Sequence, residues 1–211
     1  MRMQFQNICE IIPWSYSKCM PALLIFSVVA LFGMTGCNKV DTSGTQRAPT
    51  SSKDAASVPY DLQFIDTMMV HHQSAVDMAK LAATKAQHTE LKDYAQTIVQ
   101  DQEREVAQMG EWRKQWYADQ PKAENMDMPG MMDSMKGMDM GHMKMLEGAD
   151  FDLMFLDMMI PHHQGAVTMS KDALLKAEHT EIKTLAQQIM DAQQKEIEMM
   201  NNWKTAWAGA K

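Results

Sequence analysis

The feature that most constrains the fold of this chain is an internal repeat. Adding 91 to any residue number from Tyr60 to Trp116 gives the corresponding residue of a second copy, without a gap. Roughly half of the aligned residues are identical. A unit of about 57 residues is therefore present twice, at 60–116 and at 150–208, and residues 117–149 join the copies. The two copies are expected to fold alike.

Each copy has the pattern of two amphipathic helices joined by a short turn. Apolar and small residues recur at alternating steps of four and three in both halves of the copy, which is the spacing of one helix face. The turn of the first copy falls at 87–89, where Thr89 is placed to cap the second helix. Two such hairpins predict an all-α fold in which four helices form one bundle.

Polar residues interrupt the stripes at one height of this bundle. His71 lies 17 residues before His88 in the turn, and Glu105 lies 17 residues after it. The two side chains are therefore expected at one level of an antiparallel hairpin, and the Glu at a buried position. A pseudo-twofold axis could bring the equivalent set of the second copy to the same centre. The predicted layer comprises Met68, His71, His72, Glu105 and Met109 with Met159, His162, His163, Glu196 and Met200.

These side chains suit a soft or borderline metal ion. Imidazole binds copper, zinc, iron and nickel, whereas thioether sulfur favours Cu(I). Calcium and magnesium would require more carboxylates than the layer offers. The alternative is a structural polar cluster with methionine as packing, because a duplication copies both kinds of residue. His88 and His179, which fall in the turns, are weaker candidate ligands.

The chain contains 24 methionines, and many of them lie between the two copies. In residues 125–145, methionine alternates irregularly with glycine and charged residues, so we predict that this linker lies outside the core. Flexible thioethers suit Cu(I) or Ag(I), and a sink for oxidants is the alternative. The predicted ligands are Met126, Met128, Met131, Met132, Met135, Met138, Met140, His142, Met143 and Met145.

The N-terminal segment predicts export. Residues 21–32 form an apolar run shorter than the ~20 residues that span a membrane, and small residues precede Cys37. This pattern predicts a signal peptide at 1–36 and a lipidated Cys37, followed by a flexible polar tether at 37–59. The alternative is an uncleaved anchor helix or a buried core helix. We therefore expect a membrane-anchored lipoprotein that faces the periplasm or the cell exterior. The net charge of −7 gives no indication of nucleic-acid binding.

The segments MMVHHQSAVDMA and MMIPHHQGAVTMS, with the HTELK and HTEIK turns, resemble the family catalogued as domain of unknown function 305. The resemblance covers both copies and implies a ferritin-like helical bundle; some members are similar to periplasmic copper-binding proteins of the CopM type. It implies copper binding through histidine and methionine. Val70 replaces the proline found at Pro161, which we interpret as a detail of how the helix begins. The residues implied as ligands are Met68, His71, His72, Met78, Met159, His162, His163 and Met169.

Three functions are compatible with these features. The first is non-enzymatic binding and sequestration of copper, as Cu(I) and also Ag(I), with copper transporters or chaperones as partners. The second is a ferritin-like metalloenzyme that oxidises Cu(I) or Fe(II), although di-iron bundles use several Glu and Glu-x-x-His pairs that these helices lack. The third is a structural lipoprotein that binds no metal. We predict the first.

Overall fold

Both copies fold as the predicted helical hairpins. The computed structural model describes residues 58–209, so the predicted signal peptide, Cys37 and most of the tether lie outside the described residues. Over this range the chain forms six helices and no strand, and none of the helices is long and apolar enough to cross a membrane. The helices are α1 (Tyr60–Lys85), α2 (Thr89–Trp116), α3 (Met131–Met135), α4 (Met140–Met145), α5 (Gly148–Lys176) and α6 (Thr180–Ala208).

The two hairpins pack together through their first helices. Helix α1 packs along α2, α5 packs along α6, and α1 contacts α5 between them. This arrangement confirms the predicted four-helix bundle built from two duplicated hairpins. Pro161 lies inside α5 rather than at its beginning, so the interpretation of this proline as a feature of the helix start was wrong.

The core consists of two apolar clusters, one towards each end of the bundle. In one cluster the C-terminal half of α1 packs against the N-terminal half of α5, and in the other cluster the N-terminal half of α1 packs against the C-terminal half of α5. Helices α1 and α5 therefore run antiparallel. Cluster A includes Met78, Leu91, Met143, Phe151, Phe155, Met159, Met200 and Trp207. Cluster B includes Phe64, Met68, Met109, Met128, Met131, Met169 and Ile182.

A buried aspartate from one hairpin holds the turn of the other. Asp152 of α5 accepts hydrogen bonds from the backbone N–H groups of Gln87 and His88, each at 2.9 Å, and from Nδ1 of His88 at 2.6 Å. Asp61 of α1 does the same for residues 178 and 179 of the other turn. The predicted side-chain cap by Thr89 is absent, because Thr89 is already the first helical residue and Asp152 satisfies the turn instead.

The turn histidines belong to these clamps. The ring of His88 stacks on Trp207 with centroids 3.9 Å apart, and the ring of His179 stacks on Trp116 at the same distance. Each imidazole therefore has an aspartate at Nδ1 and an indole on its face. These contacts give both histidines a structural role.

The linker between the hairpins is part of the fold. Met128, Met131 and Met143 are buried in the two clusters, so the prediction that residues 125–145 lie wholly outside the core was wrong. The cause is that the linker approaches α5 closely at Gly165. If Gly165 had a side chain, its Cβ would collide with Ser134 and lie 2.6 Å from the carbonyl oxygen of Gly130. Short helical turns can bury single methionines without the long apolar stripe that a bundle helix needs.

We predict that Asp152→Ala lowers the free energy of unfolding by about 3 kcal/mol, because a charged acceptor of three buried or half-buried hydrogen bonds is lost. Asp157→Ala is the matched control. Asp157 lies on the same helix and pairs only at the surface with Lys204, so its removal should cost at most about 1 kcal/mol. Urea unfolding of both variants provides the measurement, and equal losses would contradict the proposed clamp.

Candidate metal centre

Four histidines occupy the middle of the bundle, where α1 and α5 meet. His71, His72, His162 and His163 all have a solvent exposure of 0%. The rings of His71 and His162 lie face to face across the pseudo-twofold axis, with centroids 3.7 Å apart and an interplanar angle of 31°. The prediction that the two copies meet at a common centre therefore holds for these histidines. We call these four residues the histidine layer.

Each of the four rings has a hydrogen-bond partner at Nε2. Nε2 of His72 donates to Glu105 at 2.6 Å, and Nε2 of His163 is paired with Glu196 at 2.8 Å. Nε2 of His71 donates to the backbone carbonyl of His162 at 3.1 Å. Carbonyl and carboxylate oxygens accept hydrogen bonds, so a proton of each of these three rings is placed on Nε2.

The fourth ring has a less obvious partner. Nε2 of His162 lies 2.7 Å from the hydroxyl oxygen of Ser74, and this hydroxyl donates its single proton to the carbonyl oxygen of His71, also at 2.7 Å. The hydroxyl can therefore only accept from His162, which places a proton on Nε2 of this ring as well.

The other ring nitrogen, Nδ1, has no hydrogen-bond partner in any of the four histidines. With the proton on Nε2, the neutral rings of His71 and His162 each present a bare lone pair at Nδ1 within the core. A buried polar group without a partner costs about 1–3 kcal/mol, so four together need an explanation. Histidine that binds a metal ion characteristically donates its second ring N–H to a carboxylate or carbonyl, which is the pattern found here.

Burial keeps the two central rings neutral. The pKa of His71 and the pKa of His162 both lie well below the ordinary value of 6.5, chiefly because the charged form loses its hydration. Repulsion from the neighbouring imidazoles acts in the same direction. Neutral imidazole is the form that binds metal ions.

The two carboxylates of the layer are less buried than the sequence indicated. The side chains of Glu105 and Glu196 are 20% and 22% exposed and line a cleft of about 250 Å³ between α2 and α6. The expectation of two core carboxylates was therefore wrong. Gln102 and Gln193, one helical turn earlier, are the polar residues of this stripe that are buried, and each has an unpartnered amide oxygen.

The predicted methionine ligands lie on both sides of the histidine layer. Met68, Met109 and Met169 belong to cluster B, whereas Met78, Met159 and Met200 belong to cluster A. The methionines of the two copies are therefore not gathered at one point. Each cluster combines two thioethers of one hairpin with one of the other.

Methionines of the linker differ widely in exposure. Met126, Met132 and Met145 are 43%, 60% and 81% exposed, and His142 is exposed as well. The half-buried members are Met135, Met138 and Met140. Within residues 58–209, no three side chains of His, Cys, Asp or Glu form a group that could hold a metal ion among themselves.

Sequence reasoning missed two residues of the site. Ser74 contacts His162, and the hydroxyl of Tyr94 lies 3.4 Å from Nε2 of His163. Burial and the nearby Glu196 raise the pKa of Tyr94, so it stays protonated. Both residues break the repeat, since their counterparts are Gly165 and Leu185. A search for repeat differences beside the histidine pairs would have found Ser74, whereas Tyr94 lies in α2 and reaches His163 only through the fold.

These features define a class of protein: a duplicated four-helix bundle with a buried histidine layer bordered by methionine. A family model described as domain of unknown function DUF305 matches residues 61–208, and the chain belongs to this family. CopM in its Cu(I)-bound form is 37% identical, with a TM-score of 0.60, and covers 70% of this chain and 96% of its own. CopM has also been solved in Cu(II)-bound and Ag-bound forms.

Two further relatives extend the comparison. A putative secreted DUF305 protein from Streptomyces coelicolor is 28% identical, with a TM-score of 0.63, over 71% of this chain and 94% of its own. An uncharacterised protein of Acanthamoeba polyphaga mimivirus is 45% identical over 51 residues, which are 24% of this chain. The chain spans about a third (34%) of the length of that viral relative.

We predict that the stability of the metal-free protein falls as the pH drops below 6.5. Unfolded histidine takes up a proton at that pH, whereas His71 and His162 in the folded protein do not. Each ring should add up to about 1.4 kcal/mol per pH unit to the decrease in the free energy of unfolding. Urea unfolding between pH 7.5 and 5.5 measures this dependence.

His162→Leu should flatten this pH dependence, because one of the two rings is gone. His142→Gln removes an exposed imidazole of the linker and should leave the dependence as in the parent protein. An identical slope in His162→Leu and the parent would contradict the assignment.

Proposed function

We propose that this protein binds copper, as Cu(I), in the core of its bundle. The observation that carries the proposal is the set of four unpartnered Nδ1 atoms in the histidine layer. Each belongs to a ring whose Nε2 is already held by the protein, so the lone pair is oriented before any metal arrives. Met68 and Met159 precede the histidine pairs by three and four residues, which places them on the same helix face as the rings.

The relative with bound copper supports this choice of metal. CopM, at 37% identity, has been solved with Cu(I), Cu(II) and silver. Silver(I) and Cu(I) are both soft monovalent ions that favour thioether sulfur. Imidazole and thioether ligands in one core suit such an ion better than a hard cation.

The linker provides a second class of site in this proposal. Its exposed methionines, Met126, Met132 and Met145, can reach a metal ion in solution without disturbing the core. The buried Met128, Met131 and Met143 serve the packing of the linker instead. Copper captured at the surface and copper held in the core are therefore expected to differ in affinity.

The physiological role we propose is sequestration of copper outside the cytoplasm. It rests on the predicted signal peptide and the predicted lipid at Cys37, and on a ligand set that suits binding rather than turnover. Copper transporters or chaperones would be the partners of such a protein. Oxygen uptake in the presence of Cu(I) or Fe(II) would instead indicate the oxidase.

We predict that the protein binds Cu(I) in preference to Zn(II), because the available ligands include many thioethers. Competition with a chromophoric Cu(I) chelator, in the presence and absence of excess zinc, measures this preference. Displacement of copper by zinc would contradict the proposal.

We also predict that the two classes of site can be separated. The double variant His72→Leu and His163→Leu should lose the tightest Cu(I) sites, with at least about a tenfold weaker affinity, while the linker sites remain. The matched variant Met126→Leu and Met132→Leu should lose weaker sites only. Circular dichroism checks the fold of both, and unchanged tight binding in the histidine variant would exclude the core site.

A further inference from the structure

A surface opening beside the linker reaches Ser74, a residue that contacts the histidine layer. This cavity of about 340 Å³ is lined by Ser74 of α1 and by the linker residues Met138 and Met140, among others. Both methionines are half-buried. We call this cavity the Ser74 opening.

Ser74 is the direct connection between the opening and the buried rings. Ser74 lines the cavity, and its hydroxyl lies 2.7 Å from Nε2 of His162 and donates to the backbone carbonyl of His71. One small side chain therefore separates two half-buried thioethers from the adjacent imidazoles of His71 and His162 in the core.

The equivalent route on the other side of the pseudo-twofold axis is closed. The counterpart of Ser74 is Gly165, and Gly130 and Ser134 of the linker lie directly against it. Gly165 has no side chain, which allows this close approach of the linker backbone. The same linker thus covers the layer at Gly165 and lines an opening at Ser74.

The charges at the Ser74 opening do not repel a cation strongly. Lys80 is paired with Glu103 of α2 at 2.7 Å. Asp77 and Lys144 line the same cavity, so its wall carries charges of both signs. The thioethers are uncharged and are soft ligands for a soft ion.

We propose that Met138 and Met140 form an acceptor site for a soft monovalent ion. The ion then passes Ser74 and the Nε2 edge of His162 to reach the Nδ1 atoms of His162 and His71. This inference rests on the proposed function and specifies the route by which the ion reaches the core. It distinguishes these two half-buried methionines from the exposed Met126, Met132 and Met145, which bind ions without delivering them to the core.

The experiment follows Ag(I) into protein labelled with ¹⁵N-histidine. Ag(I) is supplied from a competing soft ligand so that loading is slow enough for real-time spectra. The double variant Met138→Leu and Met140→Leu is compared with Met126→Leu and Met132→Leu, since each pair removes two linker thioethers of similar chemistry. The first pair should slow the appearance of the bound signals of His71 and His162 about tenfold, equivalent to about 1.4 kcal/mol in the barrier, and leave their final occupancy unchanged.

The control pair should load at the parent rate. If both pairs load alike, or if a variant of the α2–α6 cleft such as Gln188→Trp is the one that slows loading, the Ser74 route is wrong while the core site stands. If the parent protein at saturation shows no change in any of the four histidines, the core site and the route both fail.

Discussion

The arrangement of this bundle depends on how four imidazoles are accommodated where α1 and α5 meet. A buried imidazole has two nitrogens to satisfy, and the protein supplies a partner for only one of them. Glu105, Glu196, a backbone carbonyl and Ser74 all engage Nε2. The four Nδ1 atoms are left facing the core, and the unfavourable free energy of these orphaned groups is offset by the apolar packing on either side. A metal ion bound at one or more of these nitrogens would offset part of it.

Packing elsewhere in the molecule serves to keep this layer closed. The reciprocal clamps of Asp61 and Asp152 tie each hairpin to the turn of the other, so the two first helices cannot slide apart without breaking charged hydrogen bonds. Clusters A and B then exclude water from both ends of the layer. Thioethers make up a large share of these clusters, so the apolar packing that stabilises the fold also supplies soft ligands beside the imidazoles.

The repeat and its helical spacing were sufficient to predict the hairpins, the bundle and the meeting of His71 with His162. Spacing could not predict side-chain direction, which is why Glu105 was expected in the core although it reaches the α2–α6 cleft. The burial of Met131 and Met143 was missed because packing of short helical turns leaves no periodic pattern. Ser74 escaped attention because its importance depends on a contact between helices of different hairpins. Such contacts are set by tertiary packing, whereas the duplicated motif reports only local structure.

The central claim is that the protein holds Nε2 of the four buried rings and leaves Nδ1 free for a metal ion. The ¹⁵N spectrum of the metal-free protein, labelled at histidine and recorded at neutral pH, tests it most directly. We expect a protonated Nε2 and a bare Nδ1 for His71, His72, His162 and His163, and a shift of the Nδ1 signals when Cu(I) is added. Protons on Nδ1 of these rings, or four signals that Cu(I) leaves unchanged, would contradict the account.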